Sequence, residues 1–187
     1  MSTAVRQLIA DLRACKPIDE AEECHLRAII AHLVRSKNPL SRARFQPGHI
    51  TASLFIVDPK SKKILLHHHR RLDRWLQMGG HLEASESPAA AALREGREES
   101  GLADLTLLVA GIFDVDVHPI PGHKGDPGHF HYDVRYLAAT RKPRSIAMDA
   151  AESKELAWVD LDKAIELMKE EASTRALGKI ARLLEGR

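Results

Sequence analysis

The chain has 187 residues, 44% of them hydrophobic and 29% charged, with a formal net charge of +2. That length suits one folded domain with an extension, and so small a net charge argues against bulk nucleic acid or a membrane surface as partner. No apolar run approaches the ~20 residues that cross a bilayer, and the N-terminus lacks a basic, apolar and small-residue leader pattern, so the expected compartment is the cytoplasm.

Residues 1–46 read as helical. Val5, Leu8, Ile9 and Leu12 mark one amphipathic helix. Asp19 with Glu22 forms a capping box opening a second, whose expected apolar face is Ala21, Cys24, Ala28, Ile29 and Leu33. Cys15 and Cys24 have neither metal nor redox spacing and are expected as small apolar fillers. Asn38-Pro39 breaks the run. The pair could pack on its own domain or form a homodimerisation element, and the expected division is a helical extension over 1–46 and a main domain over 47–187.

From His49 the period changes to two. His49 to Val57 and Lys63 to His69 are predicted strands joined by a turn over Asp58 to Lys62. His67 to Arg74 is a local basic block. Because a guanidinium binds phosphate oxygens bidentately, Arg70, Arg71 and Arg74 are candidate substrate-binding residues, with a solvated loop as the alternative. Trp75 is expected in the core, with stacking on a base as the alternative.

A helix is predicted over Pro88 to Ser100. Ser87 can cap it, Pro88 suits its first position, and Gly101 suits a left-handed C-cap. Ala89, Ala92, Leu93 and Gly96 form the expected core face, while Glu95, Glu98 and Glu99 (i, i+3, i+4) share another. Like charges at that spacing destabilise a helix by a few tenths of a kcal/mol, and negative charge near a helix C-terminus opposes the dipole. A cation would relieve both, and hard oxygen donors favour magnesium or manganese. Arg94, four residues before Glu98, can orient that carboxylate. An ordinary solvated acidic helix is the alternative.

Beyond it, Leu105 to His118 and His129 to Thr140 are predicted strands around a Gly/Pro-rich loop. Alternation places Asp114, Asp116 and His118 on one face of the first and His129, His131 and Asp133 on one face of the second. The readings are a hydrated face with histidine–aspartate pairs, a phosphate or ribose surface using His129 and His131, or a second metal site. An edge strand around Leu156 to Val159 and a helix from Leu161 to about Leu184 complete the chain, with Leu161, Ala164, Ile165, Leu167 and Met168 expected in the core.

Gly80, Glu86 and the run Arg94-Glu95-Gly96-Arg97-Glu98-Glu99-Ser100-Gly101-Leu102 together resemble the Nudix hydrolase signature, every charged and glycine position matching. Gly96 departs from it, since an aliphatic residue is usual there. The resemblance covers about residues 47–170 and implies an α/β/α sandwich with a mixed sheet. It implies that Glu95, Glu98, Glu99 and the Gly79 carbonyl hold Mg2+, or Mn2+, against a diphosphate. Glu95 is the first candidate for the base, followed by Glu98 or a downstream glutamate. Glu152 to Asp160 resembles the family segment whose loop supplies the base in some members, which makes Glu152 and Glu155 candidates. The implied activity is hydrolysis of a nucleoside diphosphate linked to a group X. Pro119, 17 residues after Leu102, lies near a proline frequent in members acting on ADP-ribose-like compounds. Nucleoside triphosphate hydrolysis is the alternative enzyme, and a non-catalytic nucleotide sensor the alternative class. RNA-end processing would require a longer basic groove than the block at Arg70, Arg71 and Arg74.

Overall fold

The computed structural model describes residues 1–122 and 125–186, so His123 and Lys124 of the Gly/Pro-rich loop lie outside the described residues. Helices α1 (Thr3–Arg13), α2 (Glu20–Arg35), α3 (Pro88–Ser100), α4 (Leu161–Met168) and α5 (Glu171–Glu185) accompany an eight-stranded mixed sheet. Its strands are β1 (Gly48–Asp58), β2 (Lys63–His69), β3 (Arg74–Leu76), β4 (Met78–His81), β5 (Thr106–Leu107), β6 (Asp114–Ile120), β7 (His129–Ala139) and β8 (Ser153–Val159). The order is β3-β2-β1-β7-β5, with β4 on β1, β6 on β7 and β8 on β2. The chain forms two compact units, one of Met1–Ser53, Gly79–Ala92 and Ala110–Tyr136, the other of Leu54–Met78, Leu93–Val109 and Leu137–Arg187.

In the first unit, the Asp19 side chain accepts the Glu22 N–H at 2.7 Å, while the Glu22 carboxylate accepts the Ile18 N–H at 2.9 Å. The capping box therefore forms, but the buried face of α2 is Glu22, Ile29, His32 and Leu33. Ala28 is exposed, and so is Cys24, while Cys15 is half-buried; neither cysteine is a core filler. On that face His32 stacks flat on Tyr132, with ring centroids 4.0 Å apart. Helix α2 packs on β6, and Ile50 N–H bonds to the Pro39 carbonyl at 2.9 Å. The N-terminal helices thus pack on their own chain.

Strands β6 and β7 pair antiparallel with Asp114 opposite Arg135, Asp116 opposite Asp133 and His118 opposite His131. The expected cross-strand face exists, but its inner half is not hydrated: Asp114, Asp116, Asp133 and Arg135 are all buried. Arg135 contacts all three carboxylates, at 3.5 Å (Asp114), 2.8 Å (Asp116) and 3.1 Å (Asp133). Thr51 and Ser53 of β1 donate hydroxyls to Asp133 at 3.0 and 2.7 Å. Burial would push the Asp116 carboxyl up, but the hydrogen bond to His118 and the charges of Arg135, His118 and His25 hold it well below the usual range.

The second unit carries β2, paired with β8 from Ile64 opposite Val159 to His69 opposite Ser153. The Asp58 turn is fixed by its own side chain, which accepts from Lys60 N–H at 3.0 Å and Ser61 Oγ at 2.7 Å. The single strand expected over Leu105–His118 is two. Gly111 turns with φ +86°, separating β5 from β6. The C-terminal helix is likewise two, because Lys169 adopts φ +57° and caps α4 in the left-handed region. Ala164 and Met168 are buried as expected, whereas Leu161, Ile165 and Leu167 are only partly so. Trp158 donates its indole N–H to the Pro143 carbonyl at 2.8 Å.

Replacing Arg135 by methionine would strand three buried carboxylates without their shared counter-ion. The expected cost is about 3–5 kcal/mol at neutral pH, read as a lower denaturation midpoint. An unchanged midpoint would deny the cluster its role in stability.

Candidate functional site

Helix α3 begins and ends where local chemistry requires. Ser87 Oγ accepts the Ala90 N–H at 3.2 Å, and Gly101, at φ +72°, donates its N–H to Arg97 at 2.8 Å. Its buried residues are Ala91, Ala92, Gly96, Glu99 and Ser100, with Ala89 and Leu93 only half-covered, so the core face is turned slightly from the expected one. Gly96 explains how close the helix sits. A Cβ there would come within 2.5 Å of Leu54 Cδ2 and 3.2 Å of Leu105 Cδ1. The departure from the aliphatic consensus therefore accompanies a tighter approach rather than a packing hole.

This approach grades the three glutamates by depth. Side-chain exposure is 57% for Glu98 and 19% for Glu95, and Glu99 is buried. One nitrogen of Arg94 lies 3.0 Å from a carboxylate oxygen of Glu95 and 3.0 Å from one of Glu98. Arg94 thus orients two carboxylates, one more than the sequence suggested. Two oxygen-donor side chains turned toward one cationic group, with a third on the same helix, form a donor set that fits a hard divalent cation. Gly79, at φ +154°, lies against β1, where a Cβ would meet Ser53 Cβ at 2.5 Å.

The basic block is less cationic than it reads. Arg70 spends its guanidinium on the backbone, donating to Ala150 O at 3.0 Å and Ser153 O at 3.1 Å. Arg74 pairs with Glu170 at 2.7 Å, and Lys154 with Asp73 at 2.6 Å. His69 Nδ1 accepts the N–H groups of Arg71 and Leu72, so the imidazole caps a tight turn as a neutral ring. Burial lowers the His69 and His67 pKa values, that of His67 to about 4. Arg71 remains exposed. Trp75 is half-buried and stacks on His68 at 5.3 Å rather than entering the core. Glu152 is 55% exposed and 4.0 Å from His69 Nε2. Glu155 falls inside β8 opposite His68 rather than on a loop.

In the first unit His129 and His131 belong to a larger cluster that includes His49 and His81. The His49 ring lies 4.9 Å from His129, 5.0 Å from His131 and 5.0 Å from His81; His118 lies 5.6 Å from His131. Burial, reinforced by the neighbouring histidines, lowers the His131 pKa to about 2. Burial would also lower that of His118, but the Asp116 hydrogen bond and the Asp133 charge raise it. Sequence reasoning missed His49, His81 and Arg135. The available signal was a count of 11 histidines, but only tertiary contact brings them together.

Residues 47–180 match the NUDIX domain family. The chain is 30% identical over 125 residues to the probable DHNTP pyrophosphohydrolase of Lactococcus lactis subsp. cremoris (strain MG1363), an alignment covering 65% of this chain and 73% of that relative. It is 26% identical over 115 residues to the diphosphoinositol polyphosphate phosphohydrolase 3-alpha of Homo sapiens, covering 62% of this chain and just under two thirds, 65%, of the human one. Among solved structures, a C. elegans Ap4A hydrolase binary complex superimposes with TM-score 0.56 at 20% identity, over 74% of this chain and 98% of the other. An E. coli dihydroneopterin triphosphate pyrophosphohydrolase does so with TM-score 0.55 at 19% identity, over 74% and 96%. At such identities these structures establish the fold.

The buried histidines set a pH dependence. Desolvation lowers the pKa of His32 and His67 from 6.5 to about 4. Between those values the unfolded chain binds protons that the folded chain does not, so stability is complete above about pH 6.5 and is lost as pH falls toward 4. Each site contributes up to about 3 kcal/mol. Denaturant midpoints should therefore fall between pH 7 and 4, and by less in His67→Asn; a pH-independent midpoint would contradict the burial.

Proposed function

The chain belongs to the NUDIX family and is a pyrophosphohydrolase of that family, and from this premise we propose that it cleaves the diphosphate linkage of a nucleoside diphosphate joined to a group X, of the ADP-ribose or nucleotide-sugar kind. The reading is carried by one observation: Arg94 holds Glu95 and Glu98 together on α3, with Glu99 buried on the same helix. In this reading residues 1–46 are an extension, 47–187 the catalytic domain, and the substrate comes from the cytoplasmic nucleotide pool.

Glu95, Glu98 and Glu99, with the Gly79 carbonyl, are the assigned ligands for a divalent cation, Mg2+ first and Mn2+ second. When bound, such a cation supplies Lewis-acid polarisation of phosphate oxygens and a lowered pKa for a coordinated water. Arg94 keeps Glu95 and Glu98 pointing in one direction, so little side-chain entropy is left to lose on binding. Glu95, half-buried and held by Arg94, is the assigned acceptor of the water's proton, with Glu98 and then Glu152 behind it. Arg71, Arg74, His129 and His131 are assigned to the substrate, whereas Arg70 acts through the segment it fastens.

A second substrate reading, nucleoside triphosphate pyrophosphohydrolysis, draws on the Lactococcus lactis relative, named a probable DHNTP pyrophosphohydrolase. A magnesium-dependent hydrolysis panel over ADP-ribose, nucleotide sugars, nucleoside and pterin triphosphates and dinucleoside polyphosphates separates the two. Glu98→Gln should lower turnover on the best substrate by about 100-fold or more with the fold unchanged; normal turnover would remove Glu98 from the ligand set. Tight binding without cleavage anywhere in the panel would identify a nucleotide sensor instead.

The two arginines should separate kinetically. Arg71→Ala is expected to raise KM with kcat nearly unchanged, the mark of lost uniform binding. Arg70→Ala should chiefly lower stability, because it frees the carbonyls of Ala150 and Ser153. Unchanged constants for Arg71→Ala would return that side chain to a solvated role.

A further inference from the structure

We propose that His49, His129 and His131 form a binding site for one divalent transition cation of the zinc class, on ligands other than the carboxylates of α3. One ligand atom from each lies within 4.8 Å of the other two. Tetrahedral Zn–N bonds of about 2.0–2.1 Å bring such nitrogens to about 3.4 Å apart, so small side-chain rotations would close the set.

Hydrogen bonding fixes which nitrogens are offered. His49 Nδ1 lies 3.0 Å from the Arg44 carbonyl and His129 Nδ1 lies 2.9 Å from the Pro127 carbonyl. A carbonyl only accepts, so each Nδ1 carries the proton, and in the neutral ring each Nε2 carries the lone pair. Those two Nε2 atoms are buried and have no hydrogen-bond partner among the described residues. A backbone carbonyl orienting the far nitrogen while the near one is left open is the arrangement that supports metal-bound imidazole. Nitrogen donors without thiolate or carboxylate favour zinc, nickel or copper over magnesium.

An anion is the rival ligand, since doubly protonated rings could donate from Nε2. It would require three imidazolium charges within 5 Å of one another before the anion arrives, whereas a cation meets neutral rings. Three protein ligands leave a fourth position for water or a phosphate oxygen. That would reconcile metal binding at His129 and His131 with their assignment to the substrate. The site uses residues of the first unit alone and stands whether or not the substrate reading above holds.

The test is calorimetric titration of the metal-stripped full chain with zinc, in wild type and in Glu98→Gln, which weakens binding at α3. Both should take up one tight equivalent, and His129→Gln should weaken it by at least about 100-fold with unchanged far-UV circular dichroism. Cobalt should give the intense visible absorption of a tetrahedral site. Bound zinc should also shift the ring C–H proton resonances of His49, His129 and His131, a readout needing no substitution. Absence of a stoichiometric equivalent, unchanged affinity in His129→Gln, or inorganic phosphate binding in place of zinc would each overturn the proposal.

Discussion

The first unit depends on a single guanidinium. Arg135, only 1% exposed, is the shared counter-ion of three aspartates on two paired strands, and no rearrangement of that pairing would keep all three satisfied. A buried charge cluster is weak evidence for net stability, because desolvation opposes the Coulomb gain. Its stronger effect is on register. A one-residue slip of β6 would turn Asp114 and Asp116 away from Arg135 and bring apolar Val115 and Val117 to the charge, which makes slipped pairings costly. His118 and His131 face each other only in the native register, so the same ions determine where the histidine cluster forms.

The second unit is governed by distance. Gly96 lets α3 lie against Leu54 and Leu105 with no side chain between, and the depth of the helix then decides how far each glutamate reaches into solvent. A bulkier residue at this position would lift Glu95 and Glu99 along with the backbone. The carboxylate most exposed, Glu98, is the one whose position rests on Arg94 rather than on packing.

Features encoded within a few residues were legible in the sequence. The limits of α3 followed from Ser87, Pro88 and Gly101, the β1–β2 hairpin from alternation and Asp58, and the family from fixed spacing in one helix and the loop before it. Features depending on backbone torsion at one residue were not: Gly111 splits one expected strand and Lys169 one expected helix, and lysine carries no turn signal of its own. The pairings within the basic block were illegible for a third reason. Counting charges along the chain cannot show that Arg70 faces carbonyls, that Arg74 meets Glu170, or that His69 is a neutral turn cap. His49 and His129 are eighty residues apart, and local periodicity holds no information about their meeting.

The chromophores are divided between the units. Both tryptophans, Trp75 stacked on His68 and Trp158 bonded to Pro143, belong to the second unit, and both tyrosines, Tyr132 and Tyr136, to the first. Indole emission excited at the red edge therefore reports melting of the unit that carries Glu95, Glu98 and Glu99, while the phenol bands of the second-derivative absorption spectrum report the unit that holds His49, His129 and His131. The native chain carries its own pair of optical labels, and coincidence or divergence of the two signals measures whether it unfolds as one cooperative body.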